Sequence, residues 1–180
     1  INKDIINSYL QFLRELSSEC RKAGKVLSID NYVPSSGSEY YDIAHQSLIA
    51  DYIIIMSYDE HYAGSKEAGS VSSMTFTEKA VSDAIALTGD ASRVINGMPF
   101  YTRAWITTPA TDGKKGEGVY VEDATNGNYY LSSQAITMDK AKELYTNAKV
   151  KPTFDETTGQ NFVSYEKGYI TVGIWLEDAT

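Results

Sequence analysis

Cysteine is almost absent: the 180 residues hold one, Cys20. A single thiol excludes an internal disulfide framework. With only two histidines, His45 and His61, neither having a second His or Cys at ligand spacing, a structural zinc site lacks its ligands too. Both histidines read as structural or solvated. Positive charge is scarce, 16 Lys plus Arg against 24 Asp plus Glu for a net charge of −8. That balance excludes the broad cationic surface that nucleic acid or an anionic membrane would need. No apolar run approaches the roughly 20 residues of a membrane span, and the start at Ile1 fits no signal-peptide pattern. That start suggests a processed chain or an excised segment. Phosphate-loop, nucleophile-elbow, zinc-protease and calcium-loop patterns are all missing, and Gly116-Glu117-Gly118 lacks the further glycine and helix of a dinucleotide site. No cofactor and no metal is implied.

What remains is an ordinary globular composition, 42% hydrophobic and 22% charged, with room for one well-packed domain. Tyrosine stands out, with 14 residues against 5 Phe and 2 Trp. Ile6, Tyr9, Leu10, Leu13, Leu16 and Cys20 follow helical spacing up to Gly24, so Cys20 is expected on the core face as an inert thiol. Lys25 to Tyr32 reads as a strand, Tyr40 to Ile49 as a short helix, and Asp51 to Met56 as a strand. The consecutive apolar residues of that last strand suggest a parallel sheet covered on both faces. A loop over Glu60 to Thr75, a helix over Phe76 to Thr88 and a strand over Arg93 to Phe100 complete a train of α/β crossovers. Residues 106–130, rich in Gly, Thr and Asp, show no helical period. A helix is expected from Thr137, its N-cap, to Asn147. Lys151 to Asp155, Asn161 to Tyr165 and Tyr169 to Leu176 then alternate as an antiparallel meander, with turns at Thr157–Gly159 and Lys167–Gly168. Residues 1–105 are thus expected to be α/β, and 106–180 a small α+β lobe.

Parallel α/β sheets bind ligands beyond the carboxyl ends of their strands. Two such ends carry aromatic and charged side chains together: Met56-Ser57-Tyr58-Asp59-Glu60-His61-Tyr62 and Pro99-Phe100-Tyr101-Thr102-Arg103-Ala104-Trp105. Rings stack on the apolar faces of sugars, while Asp and Arg reach hydroxyls and amides, so the set suits a neutral polyhydroxy ligand. The same residues also fit a structural role, with Tyr58 and Tyr101 capping the sheet and Asp59 paired with Arg103. Glu60 reads as a loop carboxylate and Trp175 as a packing residue of the meander.

The two strand ends resemble motifs of glycoside hydrolase family 18. Met56-Ser57-Tyr58-Asp59 is similar to its sixth-strand M-x-Y-D, and Gly97 to Trp105 resembles its seventh-strand G-x-P-x-Y-x-R-x-W. The run from Tyr58 to Ser65, with Trp175-Leu176-Glu177-Asp178-Ala179, looks like the branch of bacterial chitinase-like and spore-cortex-lytic glucosaminidases, whose lobe between strands seven and eight ends in W-[FL]-E-D-A. The resemblance implies part of a (β/α)8 TIM barrel, about strands five to seven, with an inserted α+β lobe. It implies hydrolysis of β-1,4 bonds beside N-acetylglucosamine in chitin-like or peptidoglycan glycans, with retention and substrate assistance, outside the two-carboxylate scheme. Tyr58 would bond the substrate acetamide and Asp59 the substrate hydroxyls, the two forming the catalytic part of the site. Tyr101 and Arg103 would bind substrate, and Trp105 would line the cleft. The family's general acid, the Glu of D-x-x-D-x-D-x-E, has no counterpart in this sequence, nor does the eighth strand. The isolated chain is therefore expected to be inactive, with unpaired sheet edges that favour self-association. A non-catalytic carbohydrate-binding module on a degenerate barrel is the alternative. An extracellular, cell-wall or spore location belongs to the resemblance and is not legible in the residues.

Overall fold

The computed structural model describes residues 3–111 and 116–178. The chain forms two compact units, one of Ile1–Ser57 with Phe76–Met98, the other of Tyr58–Thr75 with Pro99–Thr180.

In the first unit, helices α1 (Ile6–Lys22), α2 (Ile43–Ile49) and α3 (Met74–Thr88) alternate with strands β1 (Ser28–Tyr32), β2 (Tyr52–Met56) and β3 (Val94–Gly97). The strands pair in parallel in the order β1-β2-β3, as the crossover pattern predicts. Ile53 and Ile55 are wholly buried and cluster with Ile29, Leu10, Leu13, Ile43, Ile49, Ala80 and Ala84. Each fully buried isoleucine contributes about 1.5–3 kcal/mol. Small Ala80 and Ala84 let α3 approach the core closely. Burial along β2 alternates, with Tyr52, Ile54 and Met56 more open than Ile53 and Ile55. The expectation of two covered faces is therefore corrected. Helices cover one face, and the apolar run reflects a second face that is only partly screened. Cys20 is half-buried, short of the full burial expected. Asp42 caps α2 by accepting from the His45 N–H, and Arg93 Nη1 donates to Ser47 O (2.9 Å) and Ala50 O (3.1 Å) at its other end.

The second unit is one antiparallel sheet of β4 (Tyr101–Pro109), β5 (Val119–Val121), β6 (Tyr129–Thr137), β7 (Thr153–Asp155), β8 (Gln160–Lys167) and β9 (Ile170–Leu176), in the order β5-β6-β4-β9-β8-β7. Helix α4 (Met138–Asn147) starts where Thr137 Oγ1 accepts from the Lys140 N–H, the predicted cap. Ala141 of α4 packs with Ala104, Val163, Val172, Ile174 and Leu176 on one face of the sheet. Gly168, at φ 66°, turns β8 into β9 where the sequence places a hairpin. Three strands escape the sequence reading: β4, which pairs with β6 from Tyr101↔Thr137 to Pro109↔Tyr129, β6 itself, and the short β5 that pairs with β6 from Val119↔Leu131 to Val121↔Tyr129. Pro99–Trp105 consequently sits in this second unit, together with Tyr58–Thr75.

Candidate active site

β2 is followed by Ser57, whose Oγ donates to Asn96 Oδ1 and to Gly97 O (3.3 Å), tying the strand end to its neighbour β3. Tyr58 and Asp59 follow at once. Asp59 has φ 57°, a left-handed backbone conformation that costs a non-glycine residue about 1 kcal/mol and that Asp tolerates better than most. In this conformation its Oδ1 accepts a 2.6 Å bond from the Tyr101 hydroxyl. Burial, foremost, and then the bond to Asp59 and its negative charge hold the Tyr101 phenol far above the ordinary tyrosine range. Tyr58 adds to the shift and Arg103 opposes it. The carboxylate thus meets a hydroxyl that stays protonated, a short, charge-assisted contact.

Alternation along β4 puts Tyr101, Arg103 and Trp105 on one face and Thr102 and Ala104 on the other. Arg103 Nη1 donates to Ser133 Oγ (3.1 Å), while its buried Nε has no hydrogen-bond partner among the described residues. The carboxylate of Asp59 is taken by Tyr101, not by Arg103 as the structural alternative supposed. Trp105 departs from the cleft-lining role expected of it. It is 1% exposed, and its Nε1 donates to Gly69 O (2.8 Å), so its ring is covered by the Glu60–Thr75 loop. Tyr58 is half-buried and Asp59 exposed. Trp175 packs as expected, its ring 4.5 Å from that of Phe162. Its Nε1 donates to Asp155 Oδ2 (2.9 Å), the main reason the Asp155 carboxyl lies below the usual carboxylate range.

The loop after Asp59 folds back on this same sheet face. Gly69 to Ser73 is buried throughout. The Glu60 N–H donates to Val71 O (2.9 Å), and Glu60 Oε2 accepts from the Ser73 N–H (2.9 Å). His61 Nδ1 meets Ser70 O at 2.9 Å, and its ring lies so close that a Cβ on Gly69 would fall 2.4 Å from it. Ser70 Oγ donates to Gln160 Oε1, and Gln160 Nε2 donates to Glu177 Oε2 (2.8 Å). Glu177 and Gln160 are the residues that sequence reasoning missed. Glu177 appeared only as a letter of the W-L-E-D-A segment, of which Ala179 lies outside the described residues.

Burial pushes the Glu177 carboxyl up to about 7, with the Glu60 charge adding to it; bonds from Gln160, Ser70 and the Ser72 N–H only partly offset the rise. The folded value exceeds the ordinary 4.5, so the native chain holds this proton while the unfolded chain releases it. Stability from this group is therefore full below about pH 4.5 and is lost as pH rises through about 7. Glu177→Gln removes the loss. It should gain about 1–2 kcal/mol on wild type between pH 4.5 and 8, after allowing for partial solvent screening, as read from urea unfolding at both pH values.

Known proteins resemble this chain in sequence and in fold. The family model described as glycosyl hydrolases family 18 matches residues 2–178. A Bacillus subtilis protein named as a sporulation-specific glycosylase, YdhD, is 34% identical over 101 residues, 53% of this chain and 23% of that protein. Its crystal structure superposes with a TM-score of 0.79 at 22% identity, covering 99% of this chain and 55% of that one. The spore cortex-lytic enzyme SleL of Bacillus megaterium gives 0.76 at 20% identity, over 99% of this chain and 38% of that one. A group IV chitinase of Ostrinia furnacalis, solved with allosamidin, gives 0.71 at 16% identity, over 95% and 49%. The chain thus spans about half or less of the length of these relatives.

Proposed function

The chain belongs to glycosyl hydrolase family 18, and from that premise we propose that Tyr58, Asp59, Tyr101 and Arg103 form part of the glycan-binding cleft of a catalytic domain. The substrate class is a β-1,4-linked glycan containing N-acetylglucosamine, chitin-like or peptidoglycan. The observation that carries the proposal is the 2.6 Å bond from Tyr101 to Asp59, beside the sheet face that carries Tyr101 and Arg103. That arrangement leaves Asp59 a second carboxylate oxygen for sugar hydroxyls or an amide, with the half-buried Arg103 cation on the same face as Tyr101. β1, β2 and β3 with their helices would be the fifth to seventh βα units of a (β/α)8 barrel, and the second sheet the inserted lobe.

The reaction proposed is retaining and substrate-assisted. The acetamide oxygen of the sugar attacks C1 while the glycosidic C–O bond breaks and a general acid protonates the departing oxygen. Water then opens the oxazolinium intermediate with the original configuration. Tyr58 would donate its hydroxyl to the acetamide group as charge develops on it, and Asp59 would orient the sugar through its free carboxylate oxygen. The family's D-x-x-D-x-D-x-E motif is absent from these 180 residues, so the chain alone is assigned binding and not turnover. The spore context named for YdhD and SleL makes cell-wall or spore-cortex glycan the natural setting. Among the described residues no helix is long and apolar enough to cross a membrane.

Titration calorimetry with tri-N-acetylchitotriose tests the reading. Wild-type chain should bind, and Asp59→Ala should weaken binding about tenfold, the cost of one charge-assisted hydrogen bond plus the loss of the Tyr101 contact. Equal affinity in the two proteins rejects the site. Release of nitrophenol from an aryl chitobioside by the isolated chain rejects the assignment of the acid to residues outside it.

A further inference from the structure

The loop between Asp59 and α3 is held by polar groups buried at some cost, and they sit apart from the apolar core of the second unit. That core lies on the α4 side of the sheet and consists of Ala104, Ala141, Val163, Val172, Ile174 and Leu176. Glu177 and Gln160 instead join Ser70, which is 1% exposed, on the side that carries Tyr101, Arg103 and Trp105. Burying a carboxyl group where an apolar side chain would fit is unfavourable unless its oxygens are matched to donors. Here they are. One oxygen accepts from Gln160 Nε2 (2.8 Å) and the other faces Ser70 Oγ (3.4 Å), while Gln160 Nε2 also reaches Leu176 O (3.5 Å). Ser70 Oγ in turn accepts from the Ser72 N–H (2.9 Å). The polar chain Glu177–Gln160–Ser70 therefore fixes the turn at Ser70–Ser72.

The segment that this chain fixes is what grips Glu60. Val71 O receives the Glu60 N–H and the Ser73 N–H binds the Glu60 carboxylate, so the residue directly after Asp59 is held at both its backbone and its side chain. Asp59, at φ 57°, would relax toward ordinary backbone conformations if Glu60 were released, and its carboxylate would swing away from Tyr101. We propose that Glu177 is a positioning residue for the sugar-binding tip, acting through Gln160, Ser70 and Glu60 to keep Asp59 where it accepts the Tyr101 hydroxyl. The inference rests on the reading that Asp59 and Tyr101 contact the glycan.

Two readouts on the 180-residue chain separate the inference from that reading. Tyrosine ring carbons, labelled with 13C and assigned with Tyr101→Phe, report whether Tyr101 ionises below pH 11. Calorimetry with tri-N-acetylchitotriose reports affinity. Wild type and Glu177→Gln, which keeps an acceptor for Gln160, should show no ionisation of Tyr101 up to pH 11 and equal affinity within about twofold. Glu177→Ala, and independently Ser70→Ala should the first variant fail to fold, should let Tyr101 titrate near pH 10 and weaken binding at least fivefold. A folded variant with an unchanged Tyr101 titration and unchanged affinity overturns the inference. A changed Tyr101 titration in a chain whose wild type binds no sugar supports the coupling and rejects the glycan reading.

Discussion

Replacing Trp105 by alanine is expected to remove about 3–5 kcal/mol of stability, enough to unfold much of a marginally stable unit at 25 °C. Trp105 is the largest side chain among those wholly buried, at 1% exposed. Its truncation forfeits the transfer free energy of an indole and leaves a cavity bounded by β4 and the Gly69–Ser73 segment. It also leaves Gly69 O without its 2.8 Å donor. The two losses can be separated with Trp105→Phe, which retains most of the buried area and lacks the N–H. That variant should cost about 1–2 kcal/mol. Urea denaturation followed by tyrosine fluorescence and by circular dichroism measures both, and the alanine variant should show the lower midpoint by each probe. A cost below about 1 kcal/mol for Trp105→Ala would return the ring to the cleft, the place that family likeness gives it. The loop it anchors begins at the Tyr58–Asp59 tip, so partial unfolding here should also abolish sugar binding.

The parallel half of the fold was legible because its signals are local. The apolar spacing of Ile6 to Leu16 and the run Ile53-Ile54-Ile55 each declare an element without reference to the rest of the chain, and in the second unit so does the Thr137 cap. β4 and β6 were not, since Tyr101–Pro109 and Tyr129–Thr137 owe their structure to each other. Both strands are rich in Thr, Ser and polar residues, and their pairing spans a connection with little pattern of its own. One clue was available: Tyr101, Arg103 and Trp105 stand two apart, which in a strand gives a single face, whereas a loop following a strand imposes no such alignment. The partners of the site residues were legible only in part. Charge complementarity nominated Arg103 for Asp59, but the hydroxyl of Tyr101 takes the carboxylate and leaves Arg103 Nε without a partner among the described residues. Trp105 and Glu177 owe their burial to the Gly69–Ser73 segment, many residues away in the chain, and no window of sequence around either residue contains that information.

Tyr58→Phe should have the largest effect on chemistry. Measured in a protein that carries this segment together with the D-x-x-D-x-D-x-E motif, it should lower kcat for an aryl chitobioside about 100-fold and change the affinity for tri-N-acetylchitotriose less than about threefold. The asymmetry follows from when its bond matters. In the proposed reaction the acetamide is neutral in the ground state and water competes well for it; as its oxygen attacked C1, charge would spread over the O–C–N unit, and a fixed hydroxyl would then stabilise more than mobile water does. Tyr58 is half-buried, directly precedes the held Asp59, and lies near enough to Tyr101 to raise its phenol value, so the hydroxyl is presented by a backbone already fixed on its C-terminal side. Tyr101→Phe supplies the contrast. It frees Asp59 from the 2.6 Å bond and should raise KM as well as lower kcat, because binding and orientation suffer together. An unchanged kcat in Tyr58→Phe, with the fold intact, removes Tyr58 from the reaction and favours the non-catalytic binding module. Equal losses in kcat and in affinity would make Tyr58 a uniform binding contact, with no preference for the transition state.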